Sequence, residues 1–455
     1  MAATSSTAAL LADAARRAGR YLETIGDRPV APDAGAAERL RELDVPLPED
    51  PSDGARLLAE LDERVSPATM AMAGPRFFGF VIGGALPEAV AASFLATAWD
   101  QNSARFDVTP GTAMIEKVAL RWVLEALRLP AGTAGGFVTG ATVANFTALA
   151  AGRHAALARA GWDVEARGLF GAPPITVAVG AEAHVSVLKA IAMLGLGRER
   201  AVAVPVDGQG RMRADALPAL APPAILCLQA GNVNTGAFDD ADELVERGRA
   251  AGAWVHVDGA FGLWARASPA LAPLGAGLEG ADSWATDAHK WLNVPYDSGL
   301  ALVRDARALH AAMGMTAAYL PAGGLRDPAD STPELSRRAR GVEVWAALRA
   351  LGRSGLAELV ARCCRHARRL AEGLRAAGHE VLNEVALNQV LVSFGNPERT
   401  RRAIEAIQRD GTCWCGGTVW QGRTAMRISV CSWATTDADV ERSLDAMVRA
   451  ASDAG

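Results

Sequence analysis

The feature that most constrains the fold is the recurrence of short apolar runs through the middle of the chain. Helix-length segments separate most of these runs, which lie at 175–180, 201–204, 225–230, 254–258 and 299–303. Strands that alternate with helices favour a mostly parallel sheet with helices packed on its faces. The sequence therefore predicts an α/β fold whose ligands bind at the carboxyl ends of the strands.

The length of the chain indicates more than one domain. With 455 residues, half of them hydrophobic, it can form two domains and an N-terminal appendage. We expect a dimer-wrapping helical arm, a large ligand-binding domain and a small α+β domain, over 1–75, 76–320 and 321–455. Helices predicted at 8–26 and 55–65 give the arm little core of its own, so it needs another surface, such as a second subunit. A polar loop from Pro321 to Pro333 is long enough to cover an active site.

Composition argues against several classes of partner. The net charge is −5, and no basic block is present to bind the phosphates of a nucleic acid. The six cysteines lack the paired spacing of a zinc site, so reduced, structural thiols are expected. No apolar run is long enough for a membrane span. The opening residues resemble a helix start rather than a cleaved leader, which predicts a cytoplasmic protein without a membrane partner.

Lys290 is the strongest single candidate for a catalytic residue. It lies between His289 and Trp291 on an otherwise apolar segment, a poor place for a solvated charge. Burial disfavours the ammonium form, and a neutral amine can form a Schiff base. An apolar strand at 254–258 ends in the carboxylate of Asp258. Pyridoxal phosphate needs these two anchors, because a lysine holds its aldehyde carbon and an aspartate keeps its pyridine nitrogen protonated.

Two further strand ends carry groups that suit the same ligand. Gly140, Ala141 and Thr142 open a helix after an apolar strand, where small residues and unpaired N–H groups can receive an anion, although many such turns look alike. His184 follows the strand predicted at 175–180 and can stack on a planar ring. A helix-capping or core histidine is an equally good interpretation of His184.

Other polar residues near strand ends have weaker interpretations. Asn232 and Thr235 offer amide and hydroxyl groups after the strand at 225–230, but a plain turn before a helix explains them as well. His289 is placed to bind the cofactor phosphate or to orient the substrate. His256 lies on the same side of its strand as Asp258, yet no third ligand follows at a useful spacing, so we expect no metal.

Taken together, these signals indicate one site. A small-residue turn, a histidine, an Asn/Thr turn, an aspartate and a lysine follow one another in the chain, each where a strand ends. The turn at 139–142 lacks the glycine-rich motifs of dinucleotide-binding and nucleoside-triphosphate-binding proteins. The sequence therefore favours pyridoxal 5′-phosphate as the cofactor.

The chain resembles the group II pyridoxal-phosphate decarboxylases, which have the aspartate-aminotransferase-like fold. The resemblance covers nearly the whole chain, and its most specific parts are the HxDxA motif at 256–260 and the HKW motif at 289–291. The segments 21–30 and 75–80 are similar to the family's N-terminal arm and substrate-side segment. This resemblance implies fold type I, in which helices flank a mostly parallel seven-stranded sheet. It also implies a homodimer whose arms wrap the partner subunit.

The resemblance also implies roles for individual residues. Lys290, His184 and Asp258 are the predicted catalytic residues, and His184 stacks on the cofactor ring. The predicted cofactor-binding residues are Gly140, Ala141, Thr142, His184, Asn232, Thr235, Asp258, Ala260, Asp287, His289 and Lys290. The predicted reaction is α-decarboxylation of an L-amino acid through a Lys290 Schiff base and a quinonoid intermediate.

The chain departs from the family pattern at two positions. Many members carry a tyrosine on the loop after the lysine, and the matching position here falls near Asp327 and Pro328; Tyr319 lies near the start of that loop. Gly74 replaces the family's histidine before Pro75. Aminotransfer, carbon–carbon lysis and decarboxylation-coupled oxidative deamination are therefore retained as alternatives. The non-enzymatic alternative is a cofactor-free binding protein on the same scaffold.

The substrate side chain and its carboxylate have candidate contacts. Phe77, Phe78, Phe80 and Trp99 favour an apolar or aromatic side chain, and they are equally suited to the core. Arg427, on a strand predicted at 424–430, is suited to a substrate carboxylate or to a surface ion pair.

Overall fold

The structure is a computed structural model and describes residues 6–32, 34–314 and 327–453. Its α-helices are α1 Thr7–Thr24, α2 Ala34–Arg39, α3 Gly54–Glu60, α4 Pro87–Trp99, α5 Pro110–Ala126, α6 Ala141–Arg159, α7 Val164–Arg167, α8 Val185–Met193, α9 Ala241–Ala250, α10 Ala306–Met313, α11 Gly341–Ala376, α12 Pro397–Asp410 and α13 Asp437–Asp453. Its strands are β1 Ala134–Val138, β2 Thr176–Gly180, β3 Val202–Val204, β4 Ala224–Gln229, β5 Trp254–Asp258, β6 Ser283–Asp287, β7 Gly299–Val303, β8 Glu380–Val381, β9 Gln389–Ser393, β10 Gly416–Trp420 and β11 Arg423–Ser429.

The first seven strands form one sheet in the order β1-β7-β6-β5-β4-β2-β3. All neighbours from β6 to β3 are parallel, and only β7 runs antiparallel to both of its neighbours. Every residue of β1, β5, β6 and β7 is buried, as expected for strands covered on both faces. The predicted α/β fold with a mostly parallel seven-stranded sheet is confirmed.

The sheet brings together residues that lie far apart in the chain. Asp258 ends β5 and Asp287 ends β6, and these two strands are parallel neighbours, so their carboxyl ends share one edge. α6 follows β1 after the turn at Thr139 and Gly140, and its first residues face the same edge. The predicted site residues after β1, β5 and β6 are therefore close in space.

The last four strands form a second, antiparallel sheet in the order β10-β11-β9-β8. Phe78 joins this sheet to the N-terminal part of the chain: its N–H donates to the Trp414 carbonyl at 2.9 Å, and its carbonyl accepts the Ser429 N–H at 2.9 Å. Phe77 and Phe78 are buried, whereas the Phe80 ring is exposed and stacks on Trp414. Two of the four aromatic candidates for substrate contact therefore belong to the core.

The sequence patterns located most elements closely but missed some details. β10 was not predicted, because Gly416, Gly417 and Thr418 interrupt its apolar pattern. The predicted helix at 55–65 is α3 followed by a π-helical turn from Leu61 to Val65. Residues 321–326 of the predicted loop, and Tyr319 before it, lie outside the described residues. Within the described part of the chain, no helix is long and apolar enough to cross a membrane.

Candidate active site

Lys290 lies three residues beyond the end of β6, at the carboxyl edge of the large sheet. Its Nζ is 2.7 Å from Oδ2 of Asp287, and 18% of its side chain is exposed. The segment therefore supplies its own counter-charge for the lysine, which the sequence analysis did not predict. The small remaining exposure leaves the amine accessible to a molecule in the site.

Asp287 connects three parts of the site through one carboxylate. Besides binding Lys290, it accepts the N–H of Ala141 at 2.5 Å through Oδ1. The same oxygen lies 3.5 Å from Nε2 of His289. Asp287 thus fixes the start of α6 relative to the lysine.

Asp258 is a buried carboxylate with few partners. Its Oδ1 accepts the N–H of Ala260 at 3.2 Å, and no other described residue forms a hydrogen bond or ion pair with the carboxylate. Burial raises the pKa of Asp258, against the opposing positive charges of His184 and Lys290. Such a carboxylate is stabilised by any ligand that brings a proton donor to its free oxygen.

His184 is both a helix cap and a member of the site. Its Nδ1 caps α8 by accepting the N–H of Ser186 at 3.3 Å. Burial lowers the pKa of its imidazole, and the nearby charge of Asp258 opposes that effect. The positive charges of Lys290 and Arg427 act on it as well. The helix cap expected as one interpretation of His184 is observed, and its stacking on a cofactor ring stays a prediction.

The start of α6 provides an anion-binding site. Gly140 precedes the helix, and Ala141 and Thr142 begin it. N–H groups in the first helical turn have no partner within the helix, and the helix dipole is positive there. Asp287 uses the N–H of Ala141, which leaves the next N–H groups for another anion. A Cβ on Gly299 would lie 2.6 Å from Cα of Gly140, so β7 packs directly against this turn.

His289 is held between two neighbours. Its Nδ1 accepts the N–H of Ser298 at 3.1 Å, and its ring stacks on Tyr296 with the centroids 4.2 Å apart. Burial lowers the pKa of His289, although Asp287 opposes this effect. Nε2, which lies 3.5 Å from Asp287, faces the start of α6.

The polar side-chain atoms of Asn232 and Thr235 bind their own turn and two neighbouring loops. The Asn232 side chain accepts the N–H groups of Asn234 and Thr235 and donates to Glu182. The Thr235 hydroxyl donates to the Gln209 carbonyl at 2.7 Å. The structure therefore does not bring these side chains into the group around Lys290, and their contact with a cofactor stays a prediction.

Arg427 extends from β11 toward the large sheet. Its Nη1 donates to the Val233 carbonyl at 3.2 Å, and burial lowers its pKa. No carboxylate within the described ranges pairs with it, so the surface ion pair considered from the sequence is not observed. Asp327, near the expected position of a loop tyrosine, instead accepts the N–H of Phe106 at 2.8 Å.

The sequence analysis missed three groups at the site. Tyr296 stacks on His289, and its position six residues after the lysine was an available signal. Ser186, two residues after His184, has the spacing of a capping partner. Asn145 lies within α6 and gave no signal, because only the tertiary structure brings it near Ser186. Among the described residues, no cluster of three or more His, Cys, Asp or Glu side chains is arranged for a metal ion.

Pyridoxal phosphate fits the residues present. Lys290 supplies an accessible amine, and Asp258 supplies a buried carboxylate with an oxygen available for a pyridine N–H. The start of α6 supplies free N–H groups for a phosphate. Asp287 brings a negative charge close to the expected phosphate, and the ammonium group of Lys290 offsets that charge.

Solved structures share the fold over nearly the whole chain. The crystal structure of Oryza sativa TDC with PLP and tryptamine matches with a TM-score of 0.90 and 22% identity, covering 98% of this chain and 97% of that one. The crystal structure of mouse CSAD matches with a TM-score of 0.90 and 23% identity, covering 98% and 99% of the two chains. At these identities the matches establish the fold.

Sequence relatives include several amino acid decarboxylases. The L-2,4-diaminobutyrate decarboxylase of Rhizobium meliloti (strain 1021) is 29% identical over 88% of this chain and 83% of its own. The tyrosine decarboxylase of Oryza sativa subsp. japonica is 31% identical over 78% of this chain and 72% of its own. These relatives favour decarboxylation over aminotransfer, carbon–carbon lysis and oxidative deamination.

The family model described as the pyridoxal-dependent decarboxylase conserved domain matches residues 37–395, well over half of the chain. The cofactor of such an enzyme is pyridoxal phosphate, as the sequence motifs predicted. The chain therefore belongs to the pyridoxal-dependent decarboxylase family.

Proposed function

We propose that this pyridoxal-phosphate-dependent decarboxylase removes the α-carboxylate of an L-amino acid at the site around Lys290. The observation that carries the proposal is the grouping of an accessible lysine amine, a buried aspartate and a neutral histidine at one sheet edge. Pyridoxal phosphate supplies an electron sink for the bond that breaks at Cα. The side chains of the site bind the cofactor and the substrate and transfer the protons.

Asp258 holds a proton at the pyridine nitrogen. A carboxylate that is buried among few partners gains most from a close, fixed N–H donor. Because the site excludes water, its charge acts in a low dielectric, where it is more effective than in bulk solvent. His184 would contact the cofactor ring, and Ala260 supports the Asp258 carboxylate through its N–H.

The turn around Gly140 and the start of α6 hold the phosphate. Free N–H groups of the first turn, the Thr142 hydroxyl and Nε2 of neutral His289 are the donors in reach. The absence of a side chain at Gly140 lets a phosphate approach the backbone, because a Cβ there would lie 3.0 Å from the His289 ring.

Lys290 returns the proton to Cα after carbon dioxide leaves. Its amine is held by Asp287 at the proposed cofactor site, and a lysine amine can carry and release a proton. Asp327 has a carboxylate where a loop tyrosine is expected, and its Oδ1 is engaged by the Phe106 N–H. For this proton transfer the described residues therefore offer the amine of Lys290, whereas position 327 carries a carboxylate and no phenol.

Arg427 receives a carboxylate of the substrate. A half-buried guanidinium without a carboxylate partner in the described structure is costly, and an anionic ligand would remove that cost. The charge of Arg427 also affects His184, which indicates that a ligand bound to Arg427 lies near the imidazole.

We further propose a cytoplasmic homodimer. Apolar side chains on α4 are exposed, including Phe94, Leu95 and Trp99, as is Leu11 on the predicted arm. A second copy of the chain is the partner that the predicted arm requires. All six cysteines are free and buried, which suits a reducing compartment.

The test exploits the scarcity of lysine in the chain. Only Lys117, Lys189 and Lys290 are present, and the first two are exposed. We expect the purified protein to show a near-visible absorbance band and to release carbon dioxide from one member of a panel of L-amino acids. Borohydride reduction followed by peptide mapping should place the cofactor on Lys290. Lys290→Ala should lower the rate of release by roughly 10³-fold or more.

Lys189→Ala is the matched control, and it should retain both the band and the release of carbon dioxide. A cofactor label on Lys117 or Lys189, or full activity of Lys290→Ala, would contradict the assignment of Lys290. A coloured protein that releases no carbon dioxide from any amino acid would contradict decarboxylation while leaving the cofactor site in place.

A further inference from the structure

A chain of buried hydrogen bonds connects His184 to the interior of the large sheet. His184 Nδ1 lies 2.8 Å from the Ser186 hydroxyl, which lies 3.4 Å from Nδ2 of Asn145. Oδ1 of Asn145 lies 2.8 Å from Nε2 of His256, and Nδ1 of His256 lies 2.9 Å from the Ser283 hydroxyl. The chain thus links α8, α6, β5 and β6.

The inner end of this series of hydrogen bonds, at Ser283, determines which atoms donate and which accept. The indole N–H of Trp254 can only donate, and it donates to the Ser283 hydroxyl oxygen at 2.9 Å. The hydroxyl proton of Ser283 needs an acceptor, and among the described residues the one placed to receive it is Nδ1 of His256. A neutral His256 must carry its proton on Nε2, where it donates to the amide oxygen of Asn145.

The outer end gives the same direction independently. With its oxygen engaged by His256, Asn145 turns its amide N–H toward the Ser186 hydroxyl, which in turn donates to Nδ1 of His184. The backbone N–H of Ser186, which can only donate, points at the same nitrogen from 3.3 Å. Nδ1 of His184 is therefore an acceptor, and in the neutral ring the proton is on Nε2.

Burial keeps this arrangement neutral and unique. Asn145, His256 and Ser283 are fully buried, and burial lowers the pKa of His256 to about 3. If the side-chain hydrogen bonds ran in the reverse direction, the Ser283 hydroxyl proton would have no acceptor among the described residues, and unsatisfied buried groups are costly.

We propose that Ser186, Asn145 and His256 are positioning residues that hold His184 in the tautomer with its proton on Nε2. The imidazole then presents an N–H donor on the side away from α8. The charged groups that act on His184 are Asp258, Lys290, Arg427 and Asp287. Its donor suits an oxygen of the bound substrate or of its leaving carboxylate. The kinetic part of this inference rests on the proposed function, whereas the tautomer does not.

Nitrogen NMR of the ¹⁵N-histidine-labelled holoenzyme tests the proposal directly. The chain has seven histidines, and the spectrum of His184→Gln identifies the signals of His184. We expect a protonated Nε2 and an unprotonated Nδ1. Ser186→Ala should convert His184 to a mixture of tautomers and lower kcat about fivefold with KM unchanged. Ser186→Thr, which keeps the hydroxyl, should restore both.

Ser443→Ala is the matched control, because it removes a buried hydroxyl that donates to the Asp439 carbonyl of α13. Its tautomer signals and kcat should equal those of the unmodified enzyme. A proton on Nδ1 of His184 in the unmodified enzyme, or an unchanged spectrum in Ser186→Ala, would overturn the proposal. If the enzyme decarboxylates no amino acid, the proposed function fails, and the tautomer result still decides this inference.

Discussion

At the residue scale, Asp287 shows how one side chain can serve two elements. It accepts the first N–H of α6 and binds the amine of Lys290, so the position of the lysine depends on the position of the helix. An acid at a helix start is favourable because the helix dipole is positive there. The cost is that one N–H is no longer available to the phosphate, which leaves Thr142 and the following residue to bind it.

His256 provides a prediction for the pH dependence of stability. Its pKa is lowered by burial from 6.5 to about 3, so the folded protein holds it neutral while the unfolded chain protonates it. The contribution of His256 to stability is therefore complete above pH 6.5 and is lost as the pH falls toward 3. At pH 5 the loss amounts to about 2 kcal/mol relative to pH 7.

Urea unfolding at pH 7 and pH 5 measures this contribution. His256→Gln removes the titration, so its free energy of unfolding should fall less between the two pH values, by about 2 kcal/mol. His310→Gln changes an exposed histidine and should follow the unmodified protein. Equal pH dependence in His256→Gln and the unmodified protein would show that His256 does not titrate as its burial requires.

At the element scale, the contact between β7 and the start of α6 positions the turn that we propose to bind the phosphate. Gly299 begins β7, pairs with Asp287 on one side and Val138 on the other, and lies against Gly140. The antiparallel strand therefore closes the sheet beneath the phosphate turn. A side chain at position 299 would meet the backbone of that turn, which has little freedom to move.

Gly299→Ala should weaken cofactor binding without unfolding the protein. The added Cβ would lie 2.6 Å from Cα of Gly140, and overpacking of this kind costs about 1–3 kcal/mol. We expect the Kd for pyridoxal phosphate to rise about tenfold, measured by titration of the near-visible absorbance. Gly111→Ala, in α5, meets no atom within 4 Å and should bind as the unmodified protein does. An unchanged Kd in Gly299→Ala would refute the role of this contact.

The elements and the strand-end residues were predictable from the sequence, and the contacts between them were not. Lys290 and Asp258 follow from local patterns, because each ends a short apolar run. Asn145 and His256 are 111 residues apart, and no periodicity indicates that they share a hydrogen bond. The roles of Asn232 and Thr235 depend on which atoms their own turn already uses, which only side-chain positions reveal.

At the scale of the whole molecule, the N-terminal segment and α4 expose apolar surface. The Leu11 side chain is 59% exposed on α1, and α1 contains no buried residue. A helix with no buried residue gains little hydrophobic stabilisation from its own subunit, which supports the proposed packing of α1 on a second copy of the chain. The helix α4 buries Ala89 and Ala96 in its own subunit and still exposes larger apolar side chains.

The proposed homodimer predicts which exposed apolar residues carry the association. Phe94, Leu95 and Trp99 are 47%, 56% and 45% exposed on α4, and their burial by a partner favours a dimer at low concentration. Leu95→Arg places a charge in that surface and should shift the molar mass from that of a dimer toward that of a monomer, measured by light scattering after size exclusion. Val419→Arg makes the same change on exposed β10, outside the proposed interface, and should remain dimeric. A monomeric unmodified protein, or a dimer unaffected by Leu95→Arg at all concentrations, would mean that α4 does not form the subunit interface.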